Sequence, residues 1–342
     1  MSDSQQKTPA DILNETLKDI ELRTGNFITT VSRPKYAENI TTASDLFPDN
    51  GADTAILVAG PMVYEDHFTR DSIRLYRRHY TKALIILSTG EDEDAEYLDD
   101  LQEPNVVVLK SRKPDNPGIR NREWGRILNH AGVQEAANQQ KMYCFRTNTH
   151  MRVFAPNLLA SFRSLLASFP LDQDCPQRKR LIISSHGSFK YMPFNYSPML
   201  MYGHIDDMLN YWDARVDPGT EVPANDTVPS IALHMKTDNS CYFAVRYLQK
   251  IGLVFNPESL RDSWRALAEQ FCMIDPEMLD LYMHATPKTY NERRTVAYQA
   301  RTNQMFSFLD WLILYQNRDR IESAPEHILD MPLGEKIPDC NT

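Results

Sequence analysis

Apolar residues along this chain fall into short continuous runs, separated by stretches in which they recur every three or four positions. The first run, TAILVAG, begins at Thr54 and ends in Gly60-Pro61. Residues 66–80 then place Ile73, Tyr76 and Tyr80 on one helical face, and a second run, ALIILSTG, leads into the acidic stretch EDED. NVVVLK forms a third run. Trp124, Ile127, Leu128, Ala131 and residues 133–136 mark another amphipathic helix, and MYCFRTN is a fourth run that passes directly into polar residues. A helix over 157–168 and a further strand, RLIISS, follow. Continuous apolar strands alternating with amphipathic helices predict a mainly parallel sheet covered on both faces, a nucleotide-binding type of α/β fold. Ligands of such sheets bind beyond the carboxyl ends of the strands, which directs attention to the GPM and STGED turns.

The flanking regions read differently. Residues 1–50 hold one helix near 11–23 and a polar stretch, which predicts an extension packed on the main body. Residues 51–212 make up the α/β core, and within it 186–203 form a long irregular region rich in aromatic residues and methionine. A short helix follows, with Ile205, Met208, Leu209 and Trp212 on one side. Residues 213–230, rich in Pro, Asp and small side chains, predict a surface loop. The remainder, 231–342, is expected to be mostly helical and packed on the core: Ala244, Tyr247, Leu248 and Ile251 precede Gly252, and Leu260, Trp264, Leu267 and Phe271 repeat the spacing, as do Met305, Phe308, Leu309 and Leu312.

Composition narrows the chemistry. A net charge of −9 over 342 residues argues against a protein whose main partner is nucleic acid. No apolar window is long enough to span a bilayer and the first residues are polar and acidic, which predicts a cytoplasmic protein with at most peripheral membrane contact. The five cysteines have no CxxC spacing and the nine histidines no HExxH pair, so neither a disulfide framework nor a zinc site is expected. Neither GxGxxG nor GxxxxGK[ST] is present, which disfavours a dehydrogenase or a P-loop kinase. There is no GxSxG elbow, and HGSF at His186 reads as a polar loop after a strand.

Transferases that use sugar nucleotides on an α/β sheet need other parts. The sheet edge holds the nucleotide, an acidic pair at a strand end neutralises the diphosphate, often through a divalent cation, and a carboxylate near the acceptor takes the hydroxyl proton in inverting enzymes. Arg146-Thr147-Asn148-Thr149-His150 stands where the fourth strand ends. GPMVYEDHFTRDSIRLYRRHYTKALIILSTGED resembles the opening of the WavE lipopolysaccharide-synthesis family, with its Gly-Pro turn, its "SIR-Y" helix and its "IILST" strand followed by acidic residues. Further motifs keep the same order: Asn121, Arg122 and Gly132 before the strand ending in Arg146-Thr147; RLIISS leading to MPFNYSPMLMYGHIDDMLNYW; and LRDSWRALAEQFCMIDPEMLDL near the end. The match spans roughly residues 54–315.

This resemblance implies a GT-A-like fold built on a single Rossmann-type sheet. It also implies a glycosyltransferase that moves a sugar from a nucleotide-sugar donor to a glycan or lipid-linked acceptor of lipopolysaccharide, capsule or another surface polysaccharide, at the inner face of a membrane. Gly60, Pro61, Thr89, Glu91 and Asp92 would frame the nucleotide, Arg122, Arg146 and Asn148 the diphosphate, with Arg152 a further cation there, and Tyr196 and Tyr202 an acceptor platform. Mg²⁺ or Mn²⁺ would sit at Asn148. The departures are specific. The family's "RTD" is Arg146-Thr147-Asn148, its "SD" is Ser197-Pro198, its "PE" falls at Asn239-Ser240, and the tryptophan after "ST" is Gly90. An amide is a neutral oxygen ligand and no general base, which admits a metal-independent diphosphate site and moves the base to Asp206, Asp207 or Asp238. Two alternatives stay open: a catalytically degenerate binding or scaffolding protein of the same fold, and another sugar-nucleotide enzyme such as a nucleotidyltransferase.

Overall fold

A computed structural model describes residues 7–25, 27–28, 32–39, 49–101, 103–214, 238–284 and 305–323. The expected surface loop at 213–230 lies, beyond Ala214, outside the described residues. The core is a seven-stranded sheet: β1 (Thr54–Ala59), β2 (Leu84–Gly90), β3 (Val106–Ser111), β4 (Tyr143–Asn148), β6 (Leu181–Ser184), β7 (Met201–His204) and β8 (Phe271–Ile274). A second sheet pairs β5 (Met151–Val153) with β9 (Leu281–Met283). The strand order in the main sheet is β3-β2-β1-β4-β7-β6-β8, and only β7 runs against the others. Helices α2 (Phe68–His79), α4 (Arg122–Asn138), α5 (Leu158–Ser168), α6 (Ile205–Trp212), α7 (Asn239–Lys250) and α8 (Leu260–Gln270) flank the sheet, and α9 (Phe308–Gln316) packs on α8 and β8. Helix α1 (Pro9–Thr24) precedes β1, and the short α3 (Ala95–Asp99) follows β2. This is an α/β protein with a mostly parallel mixed sheet, a GT-A-like Rossmann fold.

The apolar runs become central strands because both of their faces are covered. Every residue of β1 and β2 is buried, so no alternation of polar and apolar positions is needed. On α2 the inward face buries Phe68, Ile73, Leu75 and Tyr76 while Arg70, Arg74, Arg77 and Arg78 are left on the outer side. α1, by contrast, buries none of its residues and is held locally by a capping box between Thr8 and Asp11.

Two strands of the main sheet depart from the expected plan. Met201–His204, which begins inside the region read as irregular, is β7, and Phe271–Ile274, whose first residue is expected to end a helix, is β8. The C-terminal part, expected to be mostly helical, therefore supplies an edge strand to the main sheet, parallel to β6. β7 has a further consequence for the site: its register sets His204 opposite Tyr143 and Met201 opposite Arg146, so the helix that follows β7 starts at the amino ends of the parallel strands.

Near the amino edge, His79 closes α2 with both ring nitrogens buried and without a hydrogen-bond partner. Burial disfavours the imidazolium and lowers its pKa to about 4, with Arg78 adding to the effect. An unfolded histidine binds its proton below about pH 6.5, so between 6.5 and 4 the unfolded state holds more protons than the native one. The contribution to stability is complete above pH 6.5 and is lost as pH falls. We expect the stability of wild type to drop between pH 7 and pH 4.5 by about 2 kcal/mol more than that of a His79→Phe variant, allowing for the partial exposure of the ring. Equal losses in parallel urea titrations would contradict this.

Candidate functional site at the carboxyl edge of the sheet

The chain reverses its direction of sheet growth between β1 and β4. β2 and β3 lie on one side of β1, and β4 returns to the other, so the loops after β1 and β4 part at a topological switch point. Gly60 leaves β1 with φ +136°, a region L side chains rarely adopt, and its N–H donates to the Ser88 carbonyl at 3.0 Å. A Cβ at this position would stand 2.8 Å from Thr149 Oγ1. The Thr149 N–H donates to the Ala59 carbonyl at 3.3 Å, and Thr69 Oγ1 donates to the Thr149 carbonyl at 3.0 Å. Glycine is required here because two strand-end loops touch.

At the end of β2 the acidic stretch has a structural member that its composition conceals. Glu93 accepts from the Met62 N–H at 2.8 Å, from Thr89 Oγ1 at 3.0 Å and from the Tyr64 hydroxyl, so it ties the β2 loop to the β1 loop. Asp94 caps α3 by accepting from the Tyr97 N–H at 3.1 Å. Thr89 is fully buried, whereas Pro61, Glu91 and Asp92 are exposed at the mouth. Thr89 therefore supports the β2 loop from within, and Glu91 and Asp92 are exposed carboxylates of that loop.

Beside β4 the expected diphosphate groups are arranged differently from the sequence expectation. The Arg146 guanidinium is 6 % exposed and donates to three neutral oxygens, Asn129 Oδ1, Asn148 Oδ1 and the Pro198 carbonyl, each at 2.6 Å. It also lies over the Trp212 ring, 5.3 Å from the centroid. Burial lowers its pKa to about 10. Arg152 is equally enclosed: Nε donates to Ser72 Oγ at 3.0 Å, Nη2 to the Phe68 carbonyl at 2.8 Å and Nη1 to the Lys35 carbonyl. Arg122, 2 % exposed, donates from Nε to Asn239 Oδ1 at 2.9 Å and lies 4.0 Å from the Tyr242 ring centroid. All three arginines act as internal ties between elements, and none presents its charge to a diphosphate. Exposed cations at this edge include Lys110 at the end of β3 and, after it, Arg112, Lys113 and Arg120.

The metal expected at Asn148 does not fit the residues present. Its amide oxygen accepts from Arg146 at 2.6 Å, and its amide nitrogen points to the Met199 carbonyl at 3.4 Å. A divalent cation at that oxygen would face a guanidinium already bound there. Among the described residues no group of three His, Cys, Asp or Glu side chains is arranged to hold a metal ion.

The three carboxylates proposed as base separate. Asp206 and Asp207 begin α6 at the amino edge, five strand residues from Asn148 by register, or about 17 Å. Asp207 is 2 % exposed and accepts the backbone N–H groups of Arg178 and Lys179, each at 3.0 Å. Burial pushes its carboxyl up, against the pull of those two amides. Asp206 is exposed and lies 3.3 Å from Arg178 Nε. Both serve the opposite edge of the sheet and are excluded as base. Asp238 remains: it caps α7, with Oδ1 accepting from Ser240 N–H at 2.8 Å, Cys241 N–H at 3.2 Å and Asn195 Nδ2 at 3.1 Å, while Oδ2 is 3.6 Å from Arg120. Residues 195–199 thus touch Asp238 at one end and, through the Pro198 and Met199 carbonyls, Arg146 and Asn148 at the other.

The acceptor platform is also displaced. Tyr196 is buried with its hydroxyl on Ser263, and Tyr202 stacks on Tyr143 at 5.4 Å inside β7. Both rings are core. The sequence reading missed Glu93, Asn129 and Arg120. The first was hidden within a run of like residues, and the other two lack any motif of their own.

The strand order defines a class, an α/β protein with a mostly parallel sheet that has a topological switch point between β1 and β4. Scans against protein-family models and against curated proteins find no match to the chain.

Proposed function

We propose that the carboxyl edge binds a nucleotide sugar and that the chain is a glycosyltransferase acting on a glycan or lipid-linked surface-glycan acceptor. The observation that carries the reading is the switch point, where the β1 and β4 loops meet through Gly60 and Thr149 and the polar ends of β2 and β3 open beside them. The ordered resemblance to the WavE family supplies the reaction class. In this reading Gly60, Pro61, Glu91 and Asp92 border the nucleotide, Arg120 meets the diphosphate, and Asp238 Oδ2 takes the acceptor proton. Arg146 and Asn148 form the wall behind the donor. Charge neutralisation then comes from protein cations rather than from a metal at Asn148. Sugar-nucleotide donors are cytoplasmic metabolites, so the protein would act there, at the inner face of a membrane. Among the described residues no helix is long and apolar enough to cross one.

A second reading, a non-catalytic binding protein of this fold, is favoured by one observation: the position expected to carry a carboxylate is an amide whose oxygen is held by Arg146.

Thermal unfolding across a panel of nucleotide sugars, with and without Mn²⁺ or Mg²⁺, followed by an assay of donor turnover, separates these readings. The transferase reading expects stabilisation by a donor, insensitive to metal, with turnover. Stabilisation without turnover supports the binding protein, and no stabilisation by any donor defeats the transferase reading. Asn148→Asp places a carboxylate against a buried guanidinium. We expect it to raise stability at pH 7 by about 1–2 kcal/mol. Arg146 would depress that carboxyl below its unfolded value near 3.9, so the gain is present above about pH 4 and disappears as pH falls further. A variant no more stable than wild type at pH 7 would count against the placement of Arg146.

A further inference from the structure

The outer face of α2 carries Arg70, Arg74, Arg77 and Arg78, spaced so that all four project from one side of the helix. They form one wall of a cleft of about 670 Å³, whose opposite wall is the N-terminal segment at Tyr36, Ala37 and Glu38. That volume lies within the range of small-molecule sites. The cleft lies on the side of α2 away from the sheet and contains none of the residues assigned to the carboxyl-edge crevice.

Among the described residues three carboxylates, Asp71, Asp100 and Glu103, pair with the four guanidiniums. Arg70 and Arg74 share one carboxylate, Asp100, at 3.0 and 3.2 Å. Arg77 pairs with Glu103, and Arg78 donates to the Ala37 carbonyl. Asp71 lies beneath, 6 % exposed at its side chain, 3.9 Å from Arg70 and 3.8 Å from Arg74. The Nε of Arg70 is buried without a hydrogen-bond partner. Each guanidinium offers five N–H donors in a planar fork that matches phosphate oxygens. A chain of net charge −9 thus concentrates four fixed positive charges on one wall, against the lining carboxylates Glu38, Asp71 and Glu103. From Arg70 to Arg78 the helix rises about 12 Å, enough for two phosphate groups in sequence.

We propose that this cleft binds a ligand carrying two phosphate groups, held by Arg70, Arg74 and Arg78, in a site separate from the switch-point crevice. The phosphates would displace Asp100 from the two guanidiniums it bridges. The shared chemistry fits either a soluble phosphorylated compound or a phosphorylated lipid headgroup.

The test is isothermal titration of the full chain with inorganic pyrophosphate, and sedimentation with vesicles of phosphatidylcholine alone or containing a bisphosphorylated inositol lipid. We expect saturable pyrophosphate binding that weakens with salt. Arg74→Ala and Arg78→Ala should each weaken it about tenfold, and Glu103→Gln, which removes a competing carboxylate, should tighten it several-fold. Vesicle binding lost in the arginine variants assigns the ligand to a lipid headgroup; pyrophosphate binding without vesicle binding assigns it to a soluble phosphate. Circular dichroism confirms that the variants are folded, since both arginines are partly or fully exposed. Absence of saturable binding to either probe, or binding unchanged in all three variants, would overturn the proposal. Asn148→Asp leaves this binding unchanged, which keeps the outcome independent of the donor site.

Discussion

Arg146→Ala is expected to cost about 4 kcal/mol of stability, read as a shift of the urea midpoint at unchanged slope. The side chain donates to Asn129 Oδ1, Asn148 Oδ1 and the Pro198 carbonyl, which belong respectively to α4, β4 and the loop before β7. Truncation leaves the buried Asn129 oxygen and the half-buried Asn148 and Pro198 oxygens without this donor and opens a void against Trp212. Leaving a buried acceptor unsatisfied costs about 1–3 kcal/mol, and the missing volume adds to it. Arg146→Met, which restores packing but not the donors, should lose about half as much. Adding Asn148→Leu to that variant should recover about 1 kcal/mol, since a stranded acceptor is removed with its partner. An Arg146→Ala protein within 1 kcal/mol of wild type would mean that solvent reaches this guanidinium, and the diphosphate role set aside above would return.

Gly132→Val should be comparably damaging for a different reason. α4 passes over β1 and β2 so closely that a Cβ at Gly132 would stand 2.2 Å from Leu57 Cδ1 and 2.9 Å from Cδ2. Leu57 is fully buried in the central strand. Overpacking of this kind costs about 1–3 kcal/mol for a methyl group, and the branched valine adds to it, for an expected loss of about 3–4 kcal/mol. Gly132→Ala gains about 1 kcal/mol of helix propensity and should still be destabilising. Leu57→Ala alone removes a core side chain at a cost of about 2–5 kcal/mol. In the double variant Leu57→Ala/Gly132→Val the new methyls occupy the vacated space, so the two losses should fall short of their sum by at least about 2 kcal/mol. Additive losses would show that helix and strand do not meet at these residues.

Much of the sheet is legible in the sequence. β1, β2, β3 and β4 are apolar runs of six or seven residues with polar boundaries, and an amphipathic helix separates β1 from β2 and β3 from β4. β7 escapes because its four residues end an aromatic- and methionine-rich stretch without a clear period, and β8 because it follows α8 without a break, so the apolar spacing of the helix runs on into the strand. The candidate site divides in the same way. Gly60 directly follows β1 and Asn148 ends β4, so the positions of both in the fold are readable from the strand runs. Arg122, Arg146 and Arg152 look in sequence like cations free to meet a ligand, and their neutral partners come from segments up to 117 residues away.

By itself the sequence determined the strand–helix alternation, the polar loops at the ends of β1, β2 and β4, and hence the edge assigned to the proposed ligand crevice. Those features follow from local periodicity and from the burial of continuous apolar runs. Only the tertiary structure decided which charges face that crevice. The reversed direction of β7 sends Asp206 and Asp207 to the far edge, α7 brings Asp238 and Arg120 together, and the packing of α4 and α6 encloses Arg146. A charged side chain has the same local signature whether it ends in water or in the core, because its fate depends on partners supplied by distant segments.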